Sequence, residues 1–274
     1  MQPENGAGFG IKDASKPMRL KLIACEILYR EISFLVSRSV NTIDIAFLTK
    51  GLHDVGRTRM TARLIEAVEA VDESRYDAIL LGYALCNGGV VGLKAKSIPI
   101  VVPRAHDCIT LFLGDRAKYR DYFFANPGTY FKTTGWIERG DGLVQSGPGS
   151  GNDAAPGFPE KNRTYEQLVA QYGEDNACYL REQLDRMKHY TKLAFIETGI
   201  EPDDRFEKHT EELARSSGWQ YEKLAGDLSL LRRLIDGDWA EEDFLVIRGG
   251  NEIGFDYGEG IVKAVPPAPS VSGT

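Results

Sequence analysis

The stretch Tyr76-Asp-Ala-Ile-Leu-Leu-Gly-Tyr-Ala-Leu85 constrains the fold more than any other. Its apolar residues run without alternation, the pattern of a strand covered on both faces. Such burial needs layers above and below the strand, so a half-solvated antiparallel sheet does not accommodate it. The neighbouring segments supply the layers. Leu20 to Cys25 reads as a short strand, and Ile27, Leu28, Ile32, Leu35 and Val36 then recur at helical spacing. Thr42 to Thr49 is rich in β-branched residues and reads as a second strand. Met60, Leu64, Val68 and Val71 step by four, four and three, which predicts an amphipathic helix. After the Tyr76–Leu85 strand, Ile98 to Val102 forms a fourth strand that breaks at Pro103. Strands alternating with helices predict an α/β fold: a parallel sheet with flanking helices in a three-layer, Rossmann-like arrangement.

The second half reads as mainly helical and packs back on that sheet. Helical stripes are expected from Tyr165 to Met187, from Asp204 to Ser217 with Gly218 as the stop, and after Asp227. Asp115 to Tyr130 begins as a helix, and Phe131 to Trp136 is extended. Short strands are expected at Leu193–Thr198 and Phe244–Ile247. Residues 1–17 and 266–274 read as disordered tails around a single domain spanning 18–265, with a flexible Gly, Ser and Pro-rich loop at 140–162.

Composition excludes some functions. A formal net charge of -7 does not supply the clustered cations that phosphate backbones demand, so no nucleic-acid partner is expected. No apolar run reaches the roughly 18 residues of a membrane helix, and the start of the chain lacks the pattern of a secretory signal. The expectation is a cytoplasmic protein. Four cysteines are too sparse for a disulfide framework in 274 residues, which leaves burial, metal ligation or thiol chemistry for each.

Their placement is informative. Cys25 ends the first strand, His53 lies in the loop leaving the second, and Cys86 ends the third. His106 and Cys108 come after the fourth, in the turn Pro103-Arg-Ala-His-Asp-Cys108. In a parallel sheet these are all carboxyl ends, where α/β proteins bind their ligands. Taken singly, each residue has a packing or loop-capping explanation. As a set, Cys25, His53, Cys86, His106 and Cys108 make a candidate metal site. Asp107 is placed to orient His106 by accepting its second ring proton, and His106 with Asp107 forms the candidate catalytic pair. Thiolate and imidazole donors suit zinc, and three cysteines on separate loops also suit an iron–sulfur cluster with one open iron. The sequence does not choose between these.

Secondary features surround the set. Gly88 and Gly89, after Cys86, are candidates for presenting backbone N–H groups to an anion, and Arg104 for binding an anionic group. Arg57 and Arg59 are further candidates for an anionic substrate, and Tyr83 and Trp136 for lining a pocket. Cys178 sits at a helix boundary, apart from the set.

Cys25, Leu52-His53, Leu81-Gly-Tyr-Ala-Leu-Cys86, the Pro103–Cys108 turn, Trp219, Gly226-Asp227 and Gly237-Asp-Trp239 together carry a resemblance. The chain resembles a bacterial and archaeal domain of unknown function whose hallmark is a Pro-Arg-x-His-Asp-Cys turn, from Arg19 to Glu252. Members of that family are often encoded beside corrinoid proteins and their methyltransferases. The resemblance therefore implies methyl or one-carbon metabolism, with corrinoid reached only through a partner. Three functions are expected: a metal-dependent enzyme acting on a small molecule, a corrinoid- or metal-handling accessory protein for a methyltransferase, and a metal-free thiol enzyme with His106 as base.

Overall fold

A computed structural model describes residues 16–53, 57–141, 164–172, 174, 190–258 and 260–267. The main sheet has the order β2-β1-β3-β4-β8. It is built from β1 (Arg19–Cys25), β2 (Thr42–Leu48), β3 (Ala78–Gly82), β4 (Ile100–Pro103) and β8 (Phe244–Ile247). The first four strands are parallel, and β8 closes the sheet antiparallel to β4. All five residues of β3 are buried, as its unbroken apolar run requires, whereas the edge strand β2 has no fully buried residue. The α/β class with parallel sheets flanked by helices is therefore the fold of this chain.

The connections explain where a site can form. β1 leads through a 3-10 turn into α1 (Tyr29–Val36) and on to β2 on one side of β1. β2 leads through α2 (Arg57–Glu69) to β3 on the other side. Chain order therefore reverses between β1 and β3, and a crevice opens beyond their carboxyl ends. Met60, Leu64 and Val68 are the buried stripe of α2, the positions that the four, four, three spacing selects.

The second half holds more strand than its sequence suggested. β5 (Thr129–Lys132), β6 (Lys192–Glu197) and β7 (Gln220–Ala225) form a separate three-stranded sheet, parallel throughout. β9 (Glu252–Phe255) and β10 (Val262–Val265) form an antiparallel hairpin. The further helices are α3 (Cys108–Leu113), α4 (Arg116–Ala125), α5 (Tyr165–Tyr172), α6 (Arg205–Ser217) and α7 (Ser229–Asp236). A helical turn at Thr134–Trp136, capped by Thr133, replaces the second half of the segment expected to be extended. Gly218 ends α6 in the left-handed conformation, and the Asp227 carboxylate accepts from the Ser229 N–H at the start of α7. The expected loop at 140–162 lies outside the described residues apart from its first two positions. The tails through residue 15 and from 268, Cys178, and the expected helical stripe at 177–187 also lie outside. No described helix is long and apolar enough to cross a membrane.

The two sheets meet around α1. Arg30 donates to both carboxylate oxygens of Glu138, at 2.7 and 2.5 Å, in the bidentate geometry that fixes orientation as well as distance. Gly135 comes after β5 and lies against the 3-10 turn after β1. A Cβ there would stand 1.8 Å from the Ile27 carbonyl oxygen, so only glycine permits this approach. Beside this contact Glu31 is 1% exposed. One of its oxygens accepts from the Thr198 hydroxyl at 3.3 Å, and the other has no hydrogen-bond partner among the described residues.

Burial, and after it the nearby Glu201 carboxylate, raises the Glu31 pKa from 4.5 to about 7. Below the ordinary pKa the group is neutral in both folded and unfolded chains and carries no penalty. As pH rises from 4.5 to 7 the unfolded chain ionises while the folded one stays protonated. Stability therefore falls across that window, by up to about 3 kcal/mol. Glu31→Gln should flatten the slope, leaving stability near pH 4.5 almost unchanged and raising it at pH 8. Urea unfolding at the two pH values checks this; equal pH dependence in both proteins would contradict it.

Candidate functional site

Cys25 closes β1 and is buried. Its strand lies beside β3 in parallel register, Ala24 opposite Gly82, so the segment leaving β3 passes next to it. That segment is held in place by backbone bonds. The Leu85 N–H donates to the Ala105 carbonyl at 2.8 Å, and the Cys86 N–H to the His106 carbonyl at 3.0 Å. The chain leaving β3 is thereby stitched to the chain leaving β4, which places Cys86 beside the His106-Asp107-Cys108 turn. Cys86 has φ +45°, a left-handed conformation that costs a non-glycine residue about 1–2 kcal/mol.

Cys25, Cys86 and Cys108 lie within electrostatic reach of one another. Burial pushes the Cys25 thiol up to about 11 and the Cys86 thiol up to about 12. Burial also raises Cys108 well above its usual range, helped by Cys86, Asp107 and Cys25. Tyr83, buried beside Cys25 and Cys86, is raised by desolvation and then by those two neighbours.

Asp107 is the N-cap of α3. One carboxylate oxygen accepts from the Ile109 N–H at 3.0 Å, and the other from the Tyr119 hydroxyl at 2.6 Å. These bonds set the first turn of α3, which Cys108 opens. Burial raises the Asp107 pKa, while the Tyr119 and backbone hydrogen bonds hold it down. His106 is exposed at the rim. The Asp107 carboxylate is thus engaged as helix cap and as partner of Tyr119.

Beside Cys86 and Cys108 lies a cavity of about 750 Å³. Cys86, His106, Asp107 and Cys108 contribute to one wall. Tyr119, Tyr130, Phe131, Trp136 and Tyr190 contribute to the others, brought in by α4 and the second sheet. A second cavity of about 690 Å³ lies beyond the same turn and shares His106, Asp107, Tyr119 and Phe123 with the first. The turn is thus a partition between two spaces.

The remaining sequence candidates have other placements. Arg104 donates to the backbone carbonyls of Glu241, Gly260 and Val262, which ties the chain after β4 to the β9–β10 region. The Gly88 N–H donates to the Leu85 carbonyl and the Gly89 N–H to the Cys86 carbonyl, so both serve the turn itself. Gly88 is required for packing. It has φ +88°, and a Cβ there would lie 2.6 Å from the Phe255 ring. Arg57 stacks over that ring, 4.6 Å from its centroid. Tyr83 is buried behind the cysteines, and Trp136 lines the cavity. The His53 side chain lies outside the described residues. Among the described residues, no three His, Cys, Asp or Glu side chains stand ready to hold a metal ion. Tyr119, Tyr130, Phe131 and Tyr190 line the cavity although no sequence motif marks them. They come from three segments, and the aromatic density between residues 119 and 136 hints at all but Tyr190.

A family model described as a protein of unknown function, DUF1638, matches residues 47–235, more than half of the chain. The chain belongs to the DUF1638 family. No curated protein and no solved structure matches it. The DUF1638 match takes in Cys86, the His106-Asp107-Cys108 turn and the aromatic walls, while Cys25 lies before its start.

With thiols raised by burial, this DUF1638 protein should alkylate slowly in a chelator-containing buffer. Iodoacetamide near pH 7.5 should label Cys25, Cys86 and Cys108 at least about tenfold more slowly in the folded chain than in urea. Peptide mass mapping gives the rates. One cysteine reacting as fast as in the unfolded chain would contradict the burial effect and favour metal-free thiol chemistry.

Proposed function

We propose that this protein is a metal-dependent enzyme whose centre is held by Cys25, Cys86 and Cys108, with His106 and Asp107 at its edge, acting in group transfer on a small molecule. The observation that carries this reading is the mutual electrostatic reach of three thiols carried by the segments that end or follow β1, β3 and β4, two of which, Cys86 and Cys108, line a cavity. Thiols packed only as small hydrophobes have no reason to gather where the chain order reverses, whereas a ligand set does.

The donor chemistry fits a thiophilic metal: zinc, or an iron–sulfur cluster with one open position. The thiols are protonated as they stand, so binding would release their protons and draw the side chains together. His53 is a further donor candidate from the neighbouring loop. When bound, such a metal supplies a Lewis acid or an activated thiolate for group transfer. The protein's own residues do the rest. Asp107 fixes the start of α3 and with it Cys108. Tyr119 holds Asp107 and forms part of the cavity wall. His106, exposed on the partition, is the candidate for proton transfer to a group bound in either space.

Methyl transfer with a corrinoid-carrying partner is the form of this chemistry that the family resemblance suggests. Metal binding without turnover would shift the role to an accessory protein of such a methyltransferase.

Protein purified without oxygen should carry about one equivalent of zinc, or iron with acid-labile sulfide, and Cys86→Ser and Cys108→Ser should each lose most of it. Elemental analysis reads this directly. Less than about a tenth of an equivalent in the wild type, with metal content unaffected by either substitution, would overturn the proposal.

A further inference from the structure

We infer that the aromatic cavity beside the cysteines binds a methylated ammonium cation, such as a quaternary ammonium compound. This names the substrate class of the site proposed above and rests on that reading only for the chemistry after binding; the recognition itself comes from the cavity walls.

Six aromatic side chains contribute to those walls: Tyr119, Phe123, Tyr130, Phe131, Trp136 and Tyr190. Several meet at steep angles. The Tyr130 and Tyr190 rings are 5.3 Å apart and inclined at 83°, and the Tyr119 and Phe131 rings are 6.2 Å apart at 67°. These edge-to-face contacts hold the rings at fixed inclinations around the cavity, and an aromatic π-face attracts a weakly hydrated cation. A methylated ammonium loses little hydration on entering such a space and keeps its charge spread over its methyl groups.

The charges of the wall point the same way. Among the described residues, Asp107 is the one carboxylate lining the cavity, and no lysine or arginine lines it. The Asp107 carboxylate keeps acceptor capacity beyond its bonds from Ile109 and Tyr119. An anionic ligand would meet aromatic faces, a carboxylate and no fixed cation from these walls, whereas a cation meets complementary groups on several sides.

Two of the rings already hold protein cations. The Lys50 ammonium lies 5.2 Å from the Trp136 ring centroid, and that of Lys132 lies 5.5 Å from Tyr130. Neither lysine lines the cavity, so these contacts occupy part of two rings. Tyr119, Phe131 and Tyr190 also contribute to the wall, and the ligand is placed against these rings. The volume of about 750 Å³ exceeds the need of a single trimethylammonium group, which leaves room for the rest of the molecule.

Choline and its neutral carbon isostere, 3,3-dimethyl-1-butanol, separate charge recognition from mere apolar filling. Both are titrated into the full wild-type chain, metal-free and metal-loaded, by calorimetry and Trp fluorescence. Choline is expected to bind with a dissociation constant below about 10 mM, and the isostere at least about tenfold more weakly. Tyr190→Leu and Asp107→Asn should each weaken choline at least about threefold while leaving the isostere little changed. Equal affinity for the two ligands, or no saturable choline binding in either form, would overturn the inference. Because it is read separately from metal content, either result stands apart from the fate of the metal proposal.

Discussion

The parallel pairing of β1 with β3 is the contact on which the rest of this structure depends. β1 sends its chain to one side, to β2, and receives β3 on the other, so the first connections diverge above the pair. Two helical crossovers cannot fill the space directly beyond a point where the order reverses, and a crevice is the geometric result. Cys25 and Cys86 stand at its two banks. The backbone bonds from Leu85 and Cys86 to Ala105 and His106 then bring in the chain leaving β4. The segments carrying Cys86 and Cys108 are thus joined by main-chain hydrogen bonds just beyond two buried strands.

The second sheet completes what the first begins. Alone, the main sheet would leave the cysteines under an open crevice. β5 and the turn after it dock against α1 and the 3-10 turn after Cys25, through the Arg30–Glu138 pair and the close approach of Gly135 to Ile27. That docking carries Phe131 and Trp136 to the cavity, and Tyr130 and Tyr190 stand with them. The joint also contains a buried carboxylate, Glu31, that is unfavourable when ionised. Close packing and an under-satisfied acid thus occur at the same junction.

Much of the main sheet is legible in the sequence, because its strands are apolar runs and its helices carry clear stripes. The unbroken run ending at Leu85, the spacing from Met60 to Val68, and the C-terminal stop at Gly218 each express a local rule. The sequence also places Cys25, Cys86 and Cys108 on the segments leaving β1, β3 and β4, and the three thiols lie within electrostatic reach of one another. The second sheet is harder to read. Gln220–Ala225 is an edge strand with Glu222 and Lys223 in its middle and no fully buried residue, so its pattern lacks an apolar face. α3 has six residues and begins at a cap, Asp107, that reads equally well as a turn or a ligand-orienting group. The Arg104 role is set by carbonyls more than a hundred positions away, which no local pattern reveals.

The central claim is that Cys25, Cys86 and Cys108 act as one ligand set. Cobalt(II) added to the metal-free protein reports this most directly, since its near-ultraviolet thiolate charge-transfer absorption grows with the number of cysteines bound. The expected result is an intense band that falls by about one third in each of Cys25→Ser, Cys86→Ser and Cys108→Ser. Cys25 is the decisive position, being deepest in the core and outside the family match. A band unaltered by Cys25→Ser, or no thiolate band in the wild type, would contradict the claim.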